Sequence, residues 1–332
     1  MEETTRKQLA LCDLSWMVYK NRHALSTYGF EAWLKDGSQT FIRPTGHVLG
    51  TVNNIISLSK NYDLVILAVD SYTQWRKDRL PEYKTGRHTP TGDPNQDFPV
   101  RSDLPTIIGL CTYLKNVVFI QKSKPDGHEA DDIIASILQA TRYPTNDPEL
   151  LNVYAYDVSL FAVDADLLVT PGNYLWYRNF NEPPTDREAY ILRKFQIARH
   201  GYLPHLYKVV RGDSSDKIPV GIPYFPTRLL ASACEIMNYT ASKRFFDLDQ
   251  CISILQSVGK DCKGKVSKHL DDLADPNSAT YKRLSVNYDV TKPWFDPVKI
   301  TDLQKSRWTL DKVKSECEAL QLHNLIPVLE YT

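Results

Sequence analysis

The chain has 332 residues, with 40 basic and 40 acidic side chains and so no formal net charge. At 42% hydrophobic and 11% aromatic it can bury a sizeable core, which excludes wholesale disorder, and its length predicts two domains or one large one with insertions. A zero balance argues, at first sight, against a nucleic-acid partner.

The N-terminal stretch Met1 to Gln8 is polar and lacks the apolar core of a signal peptide. Short apolar runs of β type follow at Leu9 to Cys12, Leu64 to Val69, Val117 to Gln121 and Val158 to Val163. The longest, Leu64 to Val69, is far short of the roughly 20 residues a membrane span needs. An intracellular protein with no membrane association is expected. Helical patterns lie between the runs. The clearest starts at Glu129, where Ala130, Ile133, Ile134, Ile137 and Leu138 recur at helical spacing. Alternating strands and helices predict an α/β fold with a mainly parallel sheet flanked by helices. Residues 88–105 carry Pro90, Gly92, Pro94, Pro99 and Pro105 and read as a long irregular loop or mobile lid. Beyond about Asp216 the chain reads as mostly helical, with Lys260, Lys263, Lys265 and Lys268 in a polar stretch. An α/β core over 1–215 and a helical region over 216–332 are expected. The six cysteines form no Cys-x-x-Cys pair, which argues against a zinc site and a disulfide framework.

Three of the strands run directly into aspartate: Asp13, Asp70 and Asp164. The remaining one leads into Glu129-Ala130-Asp131-Asp132 at a helix start, and Asp166 follows Asp164 by two residues. Carboxyl ends of parallel strands line one edge of a sheet, so these side chains would converge there. Asp131 reaches that edge only if Glu129 sits on the turn before the helix. A lone aspartate after a strand is more often a helix cap than a ligand. Repetition shifts the balance, because clustered carboxylates raise one another's pKa unless a cation compensates. An all-oxygen set favours Mg²⁺, with Mn²⁺ able to substitute, over zinc.

These blocks resemble the 5′-nuclease superfamily: bacteriophage 5′→3′ exonucleases and flap endonucleases, and the 5′-nuclease domain of bacterial DNA polymerase I. The resemblance rests on Leu11-Cys12-Asp13; Val69-Asp70 with Trp75-Arg76-Lys77 and Leu80 to Arg87; Gly127 to Asp132; Val163 to Leu168; and Arg211 to Pro219. It implies two Mg²⁺ ions, one served mainly by Asp13, Asp70, Glu129, Asp131 and Asp132, the other mainly by Asp164, Asp166, Asp213 and Asp216. It implies catalytic roles for Lys84 and Arg87 at the phosphate, alongside Asp13 and Asp70. It also implies substrate contacts from Arg76 and from Tyr83, whose ring either stacks on a nucleobase or packs under the arch. The arch under which a 5′ single strand passes falls at about 75–105. Trp75 is read as packing, and Lys77 and Arg79 as solvated or phosphate-facing charges.

One stretch departs from the pattern. After Pro219 the family continues with a glycine-rich helix–hairpin–helix turn that holds a duplex phosphate and a K⁺ ion. Here Val220-Gly221-Ile222-Pro223-Tyr224-Phe225-Pro226-Thr227-Arg228 keeps one glycine, and its prolines lack a backbone N–H. That speaks against K⁺ and moves duplex binding to side chains such as Arg228 and the 260–268 lysines.

The expected activity is structure-specific cleavage of DNA at 5′ ends, flaps or single-strand/duplex junctions. Removal of RNA from RNA–DNA hybrids is included as an extension. A stand-alone monomer in phage replication, working in a host cytoplasm, fits a chain with no room for a polymerase. A PIN-type nuclease of single-stranded RNA and an inactive junction-binding module are the alternatives. The basic block at 76–87 speaks against the first, and the complete set of nine acidic ligands against the second. Setting those nine aside leaves the remainder with nine more basic than acidic residues. Neutral charge is then the sum of a negative pocket and a basic surround.

Overall fold

A computed structural model describes residues 6–24, 30–33, 39–42, 45–86, 100–122, 127–164, 167, 172–187, 189, 190, 193, 203–240, 247–292 and 296–330. Strand β1 (Lys7–Asp13) leads into helix α1 (Leu14–Ala24), then an antiparallel pair, β2 (Phe30–Trp33) and β3 (Gln39–Ile42). There follow α2 (Gly46–Asn61), β4 (Leu64–Ala68), α3 (Gln74–Arg79), α4 (Val100–Thr112), β5 (Val117–Ile120) and α5 (Ala130–Ala140). Next come β6 (Tyr156–Phe161), β7 (Tyr174–Tyr177), α6 (Leu203–Arg211), α7 (Thr227–Thr240) and α8 (Leu248–Gly259). The chain closes with α9 (Lys265–Asp272), α10 (Ala279–Thr291), α11 (Leu310–Ala319) and α12 (Leu325–Glu330).

Five strands form one parallel sheet in the order β5-β4-β1-β6-β7. In β1, Leu11 pairs with Ile66 on one side and Leu160 on the other. The chain builds outward from β1 to β4 and β5, then returns to add β6 and β7 on the other flank. Connections therefore diverge beside β1, which opens a crevice at the carboxyl ends of β1 and β6. Parallel strands covered on both faces need apolar residues throughout, and strand alternation sorts them. Leu9, Leu11, Ile66 and Leu160 face α5 and helices of the second half. Ala10, Cys12, Val65 and Leu67 face α1, α2, α4 and the C-terminal helices.

The expected irregular loop of 88–105 is only partly described. Residues 88–99 lie outside the described residues, and 100–105 open helix α4 instead. Buried Ile107, Leu110 and Cys111 give that helix its apolar face, and Pro105 sits inside it. Residues beyond 216 are mostly helical but not separate from the sheet. Phe119 pairs with Gln304, and Val313, Cys317, Leu322 and Leu329 share a core with α1 and α2. Among the described residues no helix is long and apolar enough to cross a membrane.

Candidate active site

Asp13 ends β1, and its Oδ1 accepts the Trp16 N–H at 3.0 Å, which opens α1. Asp70 follows β4 and joins three segments. Its Oδ1 accepts the Ala130 N–H at 2.8 Å, and its Oδ2 accepts the Ser15 hydroxyl at 2.6 Å. Asp164 lies just past β6 and is exposed. Strands β4, β1 and β6 are adjacent, so the three carboxylates share one edge.

Helix α5 begins at Ala130, and Glu129 is its extended N-cap. This is the condition under which Asp131 turns toward the strand ends. The Asp132 side chain reaches back to the Glu129 N–H at 3.0 Å. The approach is close: a Cβ on Gly127 would lie 2.2 Å from the Tyr72 carbonyl oxygen, so only glycine fits there.

Crowding shows in the acidities. Burial and the charges of Asp70 and Asp164 push the Asp13 carboxyl up to about 7, with Lys84 easing it only in part. Burial, Asp164 and Asp13 push Asp131 well above the usual carboxylate range. Glu129 behaves in the opposite way. Burial would raise it, but Arg76 and Lys84 more than offset that and hold it low. Its Oε2 lies 3.0 Å from Arg76 Nη1, 2.9 Å from Lys84 Nζ and 3.2 Å from the Tyr83 hydroxyl.

The acidic turn after α6 is a second cluster. Gly212 has φ +71°, and a Cβ there would meet the Ile218 carbonyl at 2.5 Å, so the turn needs glycine. Asp213 Oδ1 accepts from the Ser215 N–H at 2.9 Å and the Ser215 hydroxyl at 2.6 Å. Lys208 Nζ stands 2.7 Å from Asp213 Oδ2 and 3.8 Å from Asp216 Oδ2. Burial raises the Asp213 carboxyl, but Lys208 and Ser215 outweigh it and the net shift is downward. Lys84, in the left-handed region at φ +52°, donates its N–H to the Asp216 carbonyl at 3.0 Å. The basic turn and the acidic turn are thereby docked. Glu129, Asp131, Asp132, Asp164 and Asp216 line one cavity together with Lys84 and Lys208.

Several expected residues are buried or paired beside the cavity, lie away from it, or fall outside the described residues. Arg87 and Asp166 lie outside the described residues. Arg76, expected on the substrate, is 3% exposed and its guanidinium is held by Asp132 and the Val290 carbonyl. Tyr83, for which the sequence leaves stacking and packing both open, is 4% exposed and packs with Ile218 and Val290. Asp132, expected as a ligand, has both oxygens engaged by Arg76. Arg228 is exposed in the first turn of α7, away from the cavity lining. Lys208, Ser15 and Asn287 carry structure around the site and belong to none of the sequence blocks.

The hairpin after Pro219 has its polar groups turned inward. The Gly221 and Ile222 N–H groups donate to the Val210 carbonyl, closing α6. The Pro219 carbonyl accepts from Asn287 Nδ2 at 2.7 Å, and the Gly221 carbonyl from Arg283 Nε at 3.2 Å.

As placed, no three acidic, histidine or cysteine side chains among the described residues form a metal-holding group. The donor chemistry nevertheless suits a hard divalent cation. The set is all oxygen, and two of its members are raised by burial and by neighbouring carboxylates, a repulsion that such a cation would relieve.

Residues 8–170 match the family described as 5′-3′ exonuclease, N-terminal resolvase-like domain. The thermostable DNA polymerase I of Thermus aquaticus is 21% identical over 329 residues, 96% of this chain and 32% of that protein. The chain thus spans about a third of the length of that curated relative. Among solved structures, the T5 D15 protein co-crystallised with metal ions shares the fold, with a TM-score of 0.50 at 14% identity. That likeness covers 86% of this chain and all of the T5 protein. Together these matches support the 5′-nuclease superfamily.

Proposed function

We propose that the protein is a divalent-metal-dependent 5′ nuclease that hydrolyses DNA phosphodiesters at 5′ ends, flaps or single-strand/duplex junctions during phage replication. The observation that carries this reading is the row of Asp13, Asp70 and Asp164 at the ends of adjacent strands, with Asp131 close enough to be raised by Asp164 and Asp13. Asp13, Asp70, Asp131 and Asp164 would hold one Mg²⁺ or Mn²⁺. Asp164, Asp213 and Asp216, with Asp166, would hold a second. Bound there, such ions would supply activation of a water nucleophile and neutralisation of the leaving oxygen.

The chain's own residues do the rest. Glu129, fixed by Arg76 and Tyr83, holds the Lys84 ammonium beside the carboxylates. A phosphate entering the cavity would compete for that ammonium, which then stabilises charge growing on its oxygens. Lys208 balances the second acidic cluster until cations arrive. The hairpin carbonyls are already satisfied by Asn287 and Arg283, which supports duplex binding without K⁺.

The test is cleavage of a 5′-labelled flap, a nicked duplex, a blunt duplex and an RNA–DNA hybrid, with Mg²⁺, with Mn²⁺ and with EDTA. Cleavage near the 5′ end that stops in EDTA is expected. Cutting that survives EDTA, or restricted to single-stranded RNA, overturns the proposal.

A further inference from the structure

The hairpin between the acidic turn and α7 presents one unusual side chain. Tyr224 is 71% exposed and has φ +62°, a left-handed backbone that disfavours any residue with a Cβ. The segment around it is anchored. Phe225 beside it is fully buried, and Gly221 and Ile222 are hydrogen-bonded into α6. Pro223 and Pro226 stiffen the backbone on both sides. A rigid mount therefore pushes a large aromatic ring into solvent. Lys265, at the start of α9, places its ammonium 5.7 Å from that ring's centroid. Lys260, Lys263, Lys268 and Arg228 are exposed on the same stretches of chain.

We propose that Tyr224 and Lys265 form a DNA contact distinct from the carboxylate edge. The ring stacks on a base laid open at a duplex end or junction, and Lys265 meets the adjacent phosphate. The inference rests on the nuclease reading above and names a contact that replaces the inward-turned hairpin N–H groups. Its chemistry is that of aromatic–cation platforms: a π face accepts any base, and the neighbouring ammonium follows the strand. The hairpin leaves the acidic turn only eight residues before Tyr224, so the Tyr224 Cα stands within about 28 Å of the Asp216 Cα by chain reach.

The experiment is anisotropy of a labelled flap duplex, with Ca²⁺ as the cation, across a salt series. Tyr224→Ala should weaken binding about tenfold, within the range of one lost stacking contact. Tyr224→Phe should bind as the wild type. Tyr224→Gly should bind as poorly as the alanine variant yet melt at a higher temperature, because glycine relieves the left-handed backbone. Lys265→Ala should lower the slope of log affinity against log salt by about one. Wild-type affinity in both Tyr224→Ala and Lys265→Ala overturns the inference while leaving the nuclease reading intact. A wild-type protein that binds no DNA overturns both.

Discussion

Arg76 grips Asp132 with a two-point fork, Nη1 to Oδ2 at 2.8 Å and Nη2 to Oδ1 at 2.7 Å, and both side chains are almost completely buried. The same guanidinium touches Glu129 and donates from Nε to the Val290 carbonyl at 3.1 Å, so it ties α3, α5 and α10 into one unit. Asp132 is spent on this clamp, whereas Asp131, one residue earlier, faces Asp13 and Asp164.

Adjacent aspartates should therefore fail in different ways. Asp132→Asn takes the two-point partner from a buried guanidinium and leaves it Glu129, which should cost about 3 kcal/mol of stability. Its Mn²⁺ affinity, measured by calorimetry on the folded protein, should stay near the wild-type value. Asp131→Asn relieves repulsion, so the metal-free protein should melt no lower than the wild type while Mn²⁺ binding weakens. The reverse pattern would return Asp132 to the ligand set.

Lys84→Met should reduce cleavage at saturating DNA by about 10²–10³-fold, the scale of losing one positioned charge at the reacting phosphate. Affinity for DNA should change far less. Single-turnover rates and anisotropy separate the two, and a wild-type rate would remove Lys84 from the chemistry.

Cation binding should expel protons. Asp13 titrates at about 7 without metal, so below that pH it is mostly neutral and must ionise to bind a cation. Mn²⁺ calorimetry in buffers of different ionisation enthalpy should show more protons released at pH 6 than at pH 8. Equal release at both would contradict the crowding at the strand ends.

The parallel sheet was legible because its inner strands are continuous apolar runs ending in acid. Strand β7 was not: Tyr174-Leu175-Trp176-Tyr177 is four residues long and carries no motif. Neither was the β2–β3 pair, whose strands are equally short. The N-cap position of Glu129 was within reach, because apolar spacing fixes where α5 starts. The burial of Arg76 was not, because its carbonyl partner lies 214 residues away at Val290. In the sequence it is one basic residue among several, and only long-range packing separates it from Lys77, which stays on the surface side. Lys208 was hidden for the same reason, as a single lysine on an otherwise ordinary helix.

His205 provides a pH prediction away from the carboxylates. It is buried in α6 beside the Tyr288 carbonyl, and burial lowers its pKa to about 4. The unfolded chain takes up that proton near pH 6.5, well before the folded one. Its contribution is complete above pH 6.5 and is lost as pH falls toward 4, by about 3 kcal/mol at most. Urea midpoints at pH 7 and pH 5 should differ more in the wild type than in His205→Gln; equal differences would contradict the assignment.

The most direct test of the central claim is anomalous diffraction from crystals grown with Mn²⁺. Manganese should appear against Asp13, Asp131 and Asp164 at the carboxyl ends of β1 and β6, with the Arg76–Asp132 fork left intact. Manganese absent from this edge, or bound to Asp132 with the fork broken, would contradict the account.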